Sequence, residues 1–155
     1  MANAATGRMA PDFDLATAGG GRVRLADLRG KKVVVYFYPA DDTKGCTIEA
    51  IDFTKAHAAF KAAGTAIIAI SPDTERSHDR FKDKHGLRIT LAADPDRKAI
   101  EAYGVWGEKT LFGRKYMGVE RATFLIGKDG RIAQEWRKVR VAGHVEDVLA
   151  AARAL

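Results

Sequence analysis

The sequence contains one cysteine, Cys46, at the end of the stretch Pro39-Ala40-Asp41-Asp42-Thr43-Lys44-Gly45-Cys46. A lone thiol cannot close a disulfide within its own chain, and structural zinc sites draw on several thiolates. Cys46 is therefore either an inert packed side chain or a reactive nucleophile. Its place in the chain bears on the choice. It falls in the first turn of a helical pattern, just beyond the C-terminal end of an apolar strand, where open α/β sheets build their ligand sites. Unpaired backbone N–H groups and the positive end of the helix dipole favour an anion there, and a thiolate is one. On position alone both readings stand.

The elements that must position this thiol can be read on either side of it. Val33 to Tyr38 is a continuous β-branched and aromatic run, expected as a central strand covered on both faces and ended by Pro39. Cys46, Ala50, Phe53, His57 and Phe60 recur four, three, four and three residues apart, forming one helical stripe with Gly64 as its C-terminal stop. Thr65 to Ile70 follows as a second buried strand, so strand, helix and strand make a right-handed βαβ unit. A polar helix is expected from Thr74 to His85, and a short strand near Ile89 to Ala92. Asp94-Pro95 should cap and open a further helix ending near Tyr103-Gly104. Ala122–Ile126 and Arg131–Trp136 flank Lys128-Asp129-Gly130 as a hairpin, and His144 to Ala154 closes the chain as a helix. Ahead of all this, Gly19-Gly20-Gly21 reads as the turn of an N-terminal hairpin. The order implies an α/β fold: a central mixed sheet flanked by helices on both faces.

The 155 residues, 46% hydrophobic and 30% charged, suit a single domain spanning 1–155 and argue against disorder. No apolar run approaches a membrane span, and the N-terminus lacks a secretory signal's apolar core, so the expected address is the cytoplasm. The net charge of +6 mixes 26 basic with 20 acidic residues, which reads as a solvated surface and not as a nucleic-acid footprint. His57, His78, His85 and His144 show no metal-ligand spacing and are expected in satisfied core or surface roles. No metal or cofactor is expected. Trp106 and Trp136 suit packing or the rim of a site. The absence of CxxC argues against a disulfide reductase.

The segment VVVYFYPADDTKGCTIEA, with its PxxxTxxC spacing, resembles the active-site segment of the peroxiredoxins. APDF, SPDTERSHDRF, YGVW and GVERATFLIGKDGRI follow the same family in order. The chain is similar to the bacterioferritin comigratory protein or peroxiredoxin Q branch. That resemblance implies a thioredoxin-like fold with an N-terminal extension, and a peroxidase acting on hydrogen peroxide and organic hydroperoxides. It implies Cys46 as nucleophile, Thr43 as hydrogen-bond partner of thiolate and peroxide, and Pro39 as the shield that fixes the loop. Arg121 would be the active-site arginine and Glu49 its orienting partner, while Gly45 would let the backbone approach closely. A second reading is a thioredoxin-fold binding or chaperone-like protein without efficient turnover.

Peroxide chemistry explains why such a set is needed. A thiol of pKa about 8.5 is ~3% ionised at pH 7, and one lowered to about 6 is ~90% ionised. Nucleophilicity falls with pKa, and a Brønsted slope of ~0.4 takes back roughly tenfold of that gain. The net is about threefold, so the larger contribution must come from donors aimed at the departing oxygen. Arg121, the Thr43 hydroxyl and the Gly45 and Cys46 amides are the expected donors.

The chain departs from the family where a resolving cysteine would stand. Those positions hold Ile51 and Lys82, so an external thiol is expected: thioredoxin, glutaredoxin, glutathione or Cys46 of another subunit. A monomer or weak homodimer fits. Lys44 replaces the branch's common proline, with Asp41 and Asp42 expected to oppose its charge.

Overall fold

The structure, a computed structural model, describes residues 4–155. Its first elements are the expected hairpin, β1 (Asp14–Ala16) paired antiparallel with β2 (Arg22–Arg24). The turn needs its glycines, because Gly19 and Gly20 take φ of +91° and +85°, a region closed to most side chains. A 3₁₀ turn at Leu25–Leu28 leads into β3 (Lys32–Phe37), all of whose residues are buried. Next come α1 (Lys44–Lys55), α2 (His57–Ala62), β4 (Thr65–Ser71), α3 (Glu75–His85) and β5 (Thr90–Ala93). The chain ends with α4 (Lys98–Ala102), β6 (Trp106–Leu111), β7 (Arg114–Val119), β8 (Ala122–Ile126), β9 (Ile132–Trp136) and α5 (His144–Ala154).

The main sheet has the order β5-β4-β3-β8-β9, parallel from β5 to β3 and antiparallel from β3 to β9. Strand alternation splits β3 between two cores. Val33, Val35 and Phe37 pack with Phe13, Leu15, Ile100 and Tyr103 on the face covered by α4 and the N-terminal segment. Val34 and Tyr36 pack with Phe53, Phe60, Phe81 and Val148 on the face covered by α1, α2, α3 and α5. Each large apolar side chain buried this way contributes about 1.5–3 kcal/mol. The N-terminal segment also meets the outer strands. Met9 bridges Arg131 beside β9, and Thr17 bridges Ala92 of β5. The Ala10 and Ala18 amides donate to Gly130 and Leu91 carbonyls at 2.9 and 3.0 Å.

Two local expectations are corrected and one element is new. The stripe from Cys46 to Phe60 is not one helix: it breaks at Ala56 (φ −90°, ψ 0°). The break keeps Phe53 and Phe60 both wholly buried while His57 turns half outward. The helix expected at Pro95 starts at Lys98, because Arg97 takes a left-handed φ of +60°. Asp94 still caps it, its carboxylate accepting from the Lys98 and Ile100 amides at 2.9 and 2.8 Å. Finally, the β6–β7 hairpin was not expected. It turns through Phe112 and Gly113, both at positive φ (+51° and +77°), the backbone of a two-residue hairpin turn.

Candidate active site

Thr43 is the N-cap of α1 in extended conformation, and its carbonyl accepts the first helical bond from Thr47 N at 2.8 Å. Cys46 therefore occupies the third helical position, within the turn whose amides lack intrahelical acceptors. Its thiol is buried, the residue being 2% exposed. Sheet register supplies its partner. Phe37 at the end of β3 lies opposite Ala122 at the start of β8, so Arg121 falls level with Tyr38 and the loop that leads into α1.

The guanidinium reaches two groups. Arg121 Nη2 donates to Cys46 Sγ at 3.3 Å and Nη1 donates to Glu49 Oε1 at 2.6 Å. Glu49 is fully buried and Arg121's side chain is 16% exposed. Burial alone would lower the Arg121 pKa, but the neighbouring Glu49 and Cys46 charges hold it above the usual arginine value. Burial pushes the Glu49 carboxyl up to about 7, against the opposing pull of Arg121. Among the described residues the second Glu49 oxygen, Oε2, has no hydrogen-bond partner, nor has the buried Tyr36 hydroxyl. Burial, then the Glu49 and Cys46 charges, push that phenol well above its ordinary range.

Pro39 and Arg121 line a cleft of about 470 Å³ whose other walls include Trp106, Lys109, Glu120 and Val139. Trp106 is thus a rim residue as well as a packed one, with the Arg97 guanidinium 4.4 Å above its ring. Trp136 packs at the edge of the helical core beside His144.

The structure brings Cys46, Glu49 and Arg121 into one contact chain, with Pro39 and Gly45 beside it. Thr43 differs from expectation. Its hydroxyl donates to the Ala40 carbonyl at 2.9 Å, a bond that closes its own loop, instead of to the sulfur. At Gly45 a Cβ would lie 3.2 Å from Arg121 Nη2. The missing Cβ makes room for the guanidinium. Gly45→Ala is expected to lower the rate of thiol oxidation about tenfold by displacing that fork. It should leave helix stability equal or higher by about 0.5–1 kcal/mol. Thermal unfolding and stopped-flow oxidation measured together test this opposition of signs.

The aspartates expected to oppose Lys44 are engaged elsewhere. Asp42 pairs with Lys84 and His85 at 2.6 and 2.9 Å. Asp41 accepts from Tyr38 OH at 2.6 Å and Ser77 Oγ at 2.8 Å, and meets His78 Nδ1 at 2.7 Å. Asp41, Asp73 and His78 lie close enough to share an ion, but their polar atoms are already joined to one another and to Ser71, Ser77 and Tyr38. His144 Nε2 meets Thr123 Oγ1 at 2.8 Å in the core, and burial lowers its pKa to about 4. Lys82, at one resolving position, donates to the Ile89 carbonyl at 3.1 Å, and Ile51 packs half-buried against the helical core. Sequence reasoning missed the cleft wall from β6 and β7. Its one signal was the Phe112-Gly113 pair between two six-residue strands.

Comparison with known proteins identifies the fold and the family. Residues 6–135 match the AhpC/TSA family. Peroxiredoxin Bcp of Bacillus subtilis is 48% identical over 143 residues, covering 92% of this chain and 91% of that protein. The bacterioferritin comigratory protein of Xanthomonas campestris, solved in connection with its alkyl peroxide reduction activity, superposes with a TM-score of 0.87 at 41% identity, covering 92% of this chain and 90% of that one. A cysteine-to-serine variant of PrxQ from Xylella fastidiosa superposes with a TM-score of 0.93 at 33% identity, over 99% and 98% of the two chains. These matches share the fold, a central mixed sheet flanked by helices. The chain belongs to the AhpC/TSA family, in its Bcp/peroxiredoxin Q branch.

Proposed function

We propose that this protein is a thiol-dependent peroxidase that reduces hydrogen peroxide and organic hydroperoxides at Cys46. The observation that carries this reading is the 3.3 Å contact between Arg121 and the chain's single sulfur, with the guanidinium anchored on Glu49. The Cys46 thiolate attacks one peroxide oxygen. The S–O bond forms as O–O breaks, and the electron pair leaves on the second oxygen, which takes a proton and departs as water or an alcohol. Sulfur is oxidised by two electrons to a sulfenic acid, and the peroxide is reduced. Arg121 stabilises the negative charge growing on the leaving oxygen, while Pro39 bounds the cleft through which peroxide enters. Thr43 holds the loop shape through Ala40.

No second thiol exists in the chain, so an external one must attack the sulfenic sulfur, expel water and form a mixed disulfide that a further thiol resolves. Thioredoxin, glutaredoxin, glutathione and Cys46 of a second copy all supply that chemistry. A cytoplasmic monomer or weak homodimer fits. Among the described residues, no helix is long and apolar enough to cross a membrane.

Mass spectrometry tests the reading. One equivalent of peroxide is expected to add one oxygen at Cys46 within the mixing time and none to Cys46→Ser. A parent protein that gains no oxygen would instead fit a binding or chaperone-like role.

A further inference from the structure

Two acidic groups compete for one cation in the buried site. Arg121 bridges Glu49 Oε1 and Cys46 Sγ at 2.6 and 3.3 Å, and Glu49 and Cys46 are 0% and 2% exposed. With both acids ionised, two negative charges would divide one positive charge in a poorly solvated pocket. The surrounding groups do not relieve this. On its own helix Glu49 feels Asp52 and shares the site with Cys46. From β3 it is faced by the neutral Tyr36 phenol. From α5, His144 acts on Arg121 and is uncharged at neutral pH. Of the charged side chains that act on Glu49, Arg121 is the cationic one. Among the described residues Glu49 Oε2 is buried without a partner, which costs far more for a carboxylate than for a neutral acid.

We propose that Glu49 is protonated in the reactive state and acts as a positioning residue. Its neutral carbonyl oxygen, Oε1, holds Arg121 in place while leaving the guanidinium charge to the Cys46 thiolate and the departing oxygen. The reactive set, thiolate, guanidinium and carboxylic acid, is then neutral overall. Raising the pH releases the Glu49 proton to solvent, draws the guanidinium toward the new carboxylate and weakens its hold on the sulfur and the leaving oxygen. The elevated Glu49 pKa caused by burial accords with this assignment. The inference rests on the peroxidase reading of Cys46 and adds an alkaline limit to it.

The test is the pH profile of the reduced full-length protein reacting with hydrogen peroxide in single turnover, across about pH 5–9. The parent rate should fall toward alkaline pH as Glu49 loses its proton. Glu49→Gln keeps an acceptor for Arg121 and cannot ionise. The ratio of variant to parent rate is therefore expected to grow about tenfold from pH ~6 to ~9, whatever its starting value. A ratio constant across the range would overturn the proposal, because a merely structural Glu49 gives that result. Should the variant fail to fold, carboxyl-carbon NMR of the reduced parent decides: a Glu49 signal titrating near neutrality supports the assignment, and one titrating in the ordinary carboxylate range ends it. Failure of the peroxidase reading is distinguishable, since the parent would then transfer no oxygen to Cys46 at any pH.

Discussion

Arg121→Ala is expected to slow the reaction of reduced protein with peroxide by about 10²–10³-fold, equivalent to about 3–4 kcal/mol of lost transition-state stabilisation. The size follows from which charge the guanidinium serves. A complete swing between an ordinary thiol and a fully ionised one changes the rate only about threefold once falling nucleophilicity is included. Arg121 Nη2 lies 3.3 Å from the sulfur, and on the proposed mechanism removing it deprives the leaving oxygen of its main expected donor. Arg121→Lys should recover little, because an ammonium is a point charge and cannot hold Glu49 and the reacting atoms in one planar fork. Stopped-flow oxidation of both variants with peroxide in excess provides the measurement. A loss in Arg121→Ala no greater than about threefold would mean that the arginine only assists ionisation.

The second large effect is on stability. Asp41→Ala should lower the free energy of unfolding by about 3–5 kcal/mol. The Asp41 carboxylate is the hub for Tyr38 OH, Ser77 Oγ and His78 Nδ1, at 2.6, 2.8 and 2.7 Å. The His78 and Asp41 side chains are only 0% and 4% exposed, so water does not replace what is lost. Each buried group deprived of its partner costs about 1–3 kcal/mol. Asp41→Asn keeps one acceptor oxygen and should forfeit roughly half as much. Urea unfolding at unchanged m-value is the check, and a midpoint shift below that of an ordinary surface substitution would show that the network contributes nothing. The loop from Pro39 to Thr43 hangs on this hub, so the same variants should lose activity below their melting range.

What was legible in the sequence follows from how much of each pattern is local. The apolar run at β3, the glycine-marked hairpin of β1 and β2, and α3 between Thr74 and Gly86 all carry their reasons within a few residues. Thr74 accepts from Ser77 N at 3.2 Å, and Gly86 takes a φ of +61°. The β6–β7 hairpin offered only its turn pair as a signal, because it has no buried face to imprint alternation. Most of its side chains are exposed or half-exposed, and Phe112 at its tip is 96% exposed. Arg97 interrupts the helix after Pro95 for a backbone reason that no propensity scale records. At the site, Cys46, Pro39 and Gly45 lay within one motif. Arg121, 75 residues away, was identifiable only through the family likeness. The Asp41–His78 contact spans 37 positions and left no local trace. The bond from the Thr43 hydroxyl to the Ala40 carbonyl closes a turn within its own loop, a detail the motif does not spell out.

The way residues 7–18 meet both outer strands has a consequence for the molecule in a crowded solution. A sheet rim is a template onto which another chain can zip, and uncovered rims are where folded proteins begin to clump. Here Arg8 and Ala10 occupy backbone groups of Ile132 and Gly130 on one rim, while Ala18 takes the Leu91 carbonyl on the other. The leading segment thus works as a sheath. It gives up its own freedom so that a protein whose task exposes it to oxidative damage presents fewer openings for self-templated assembly.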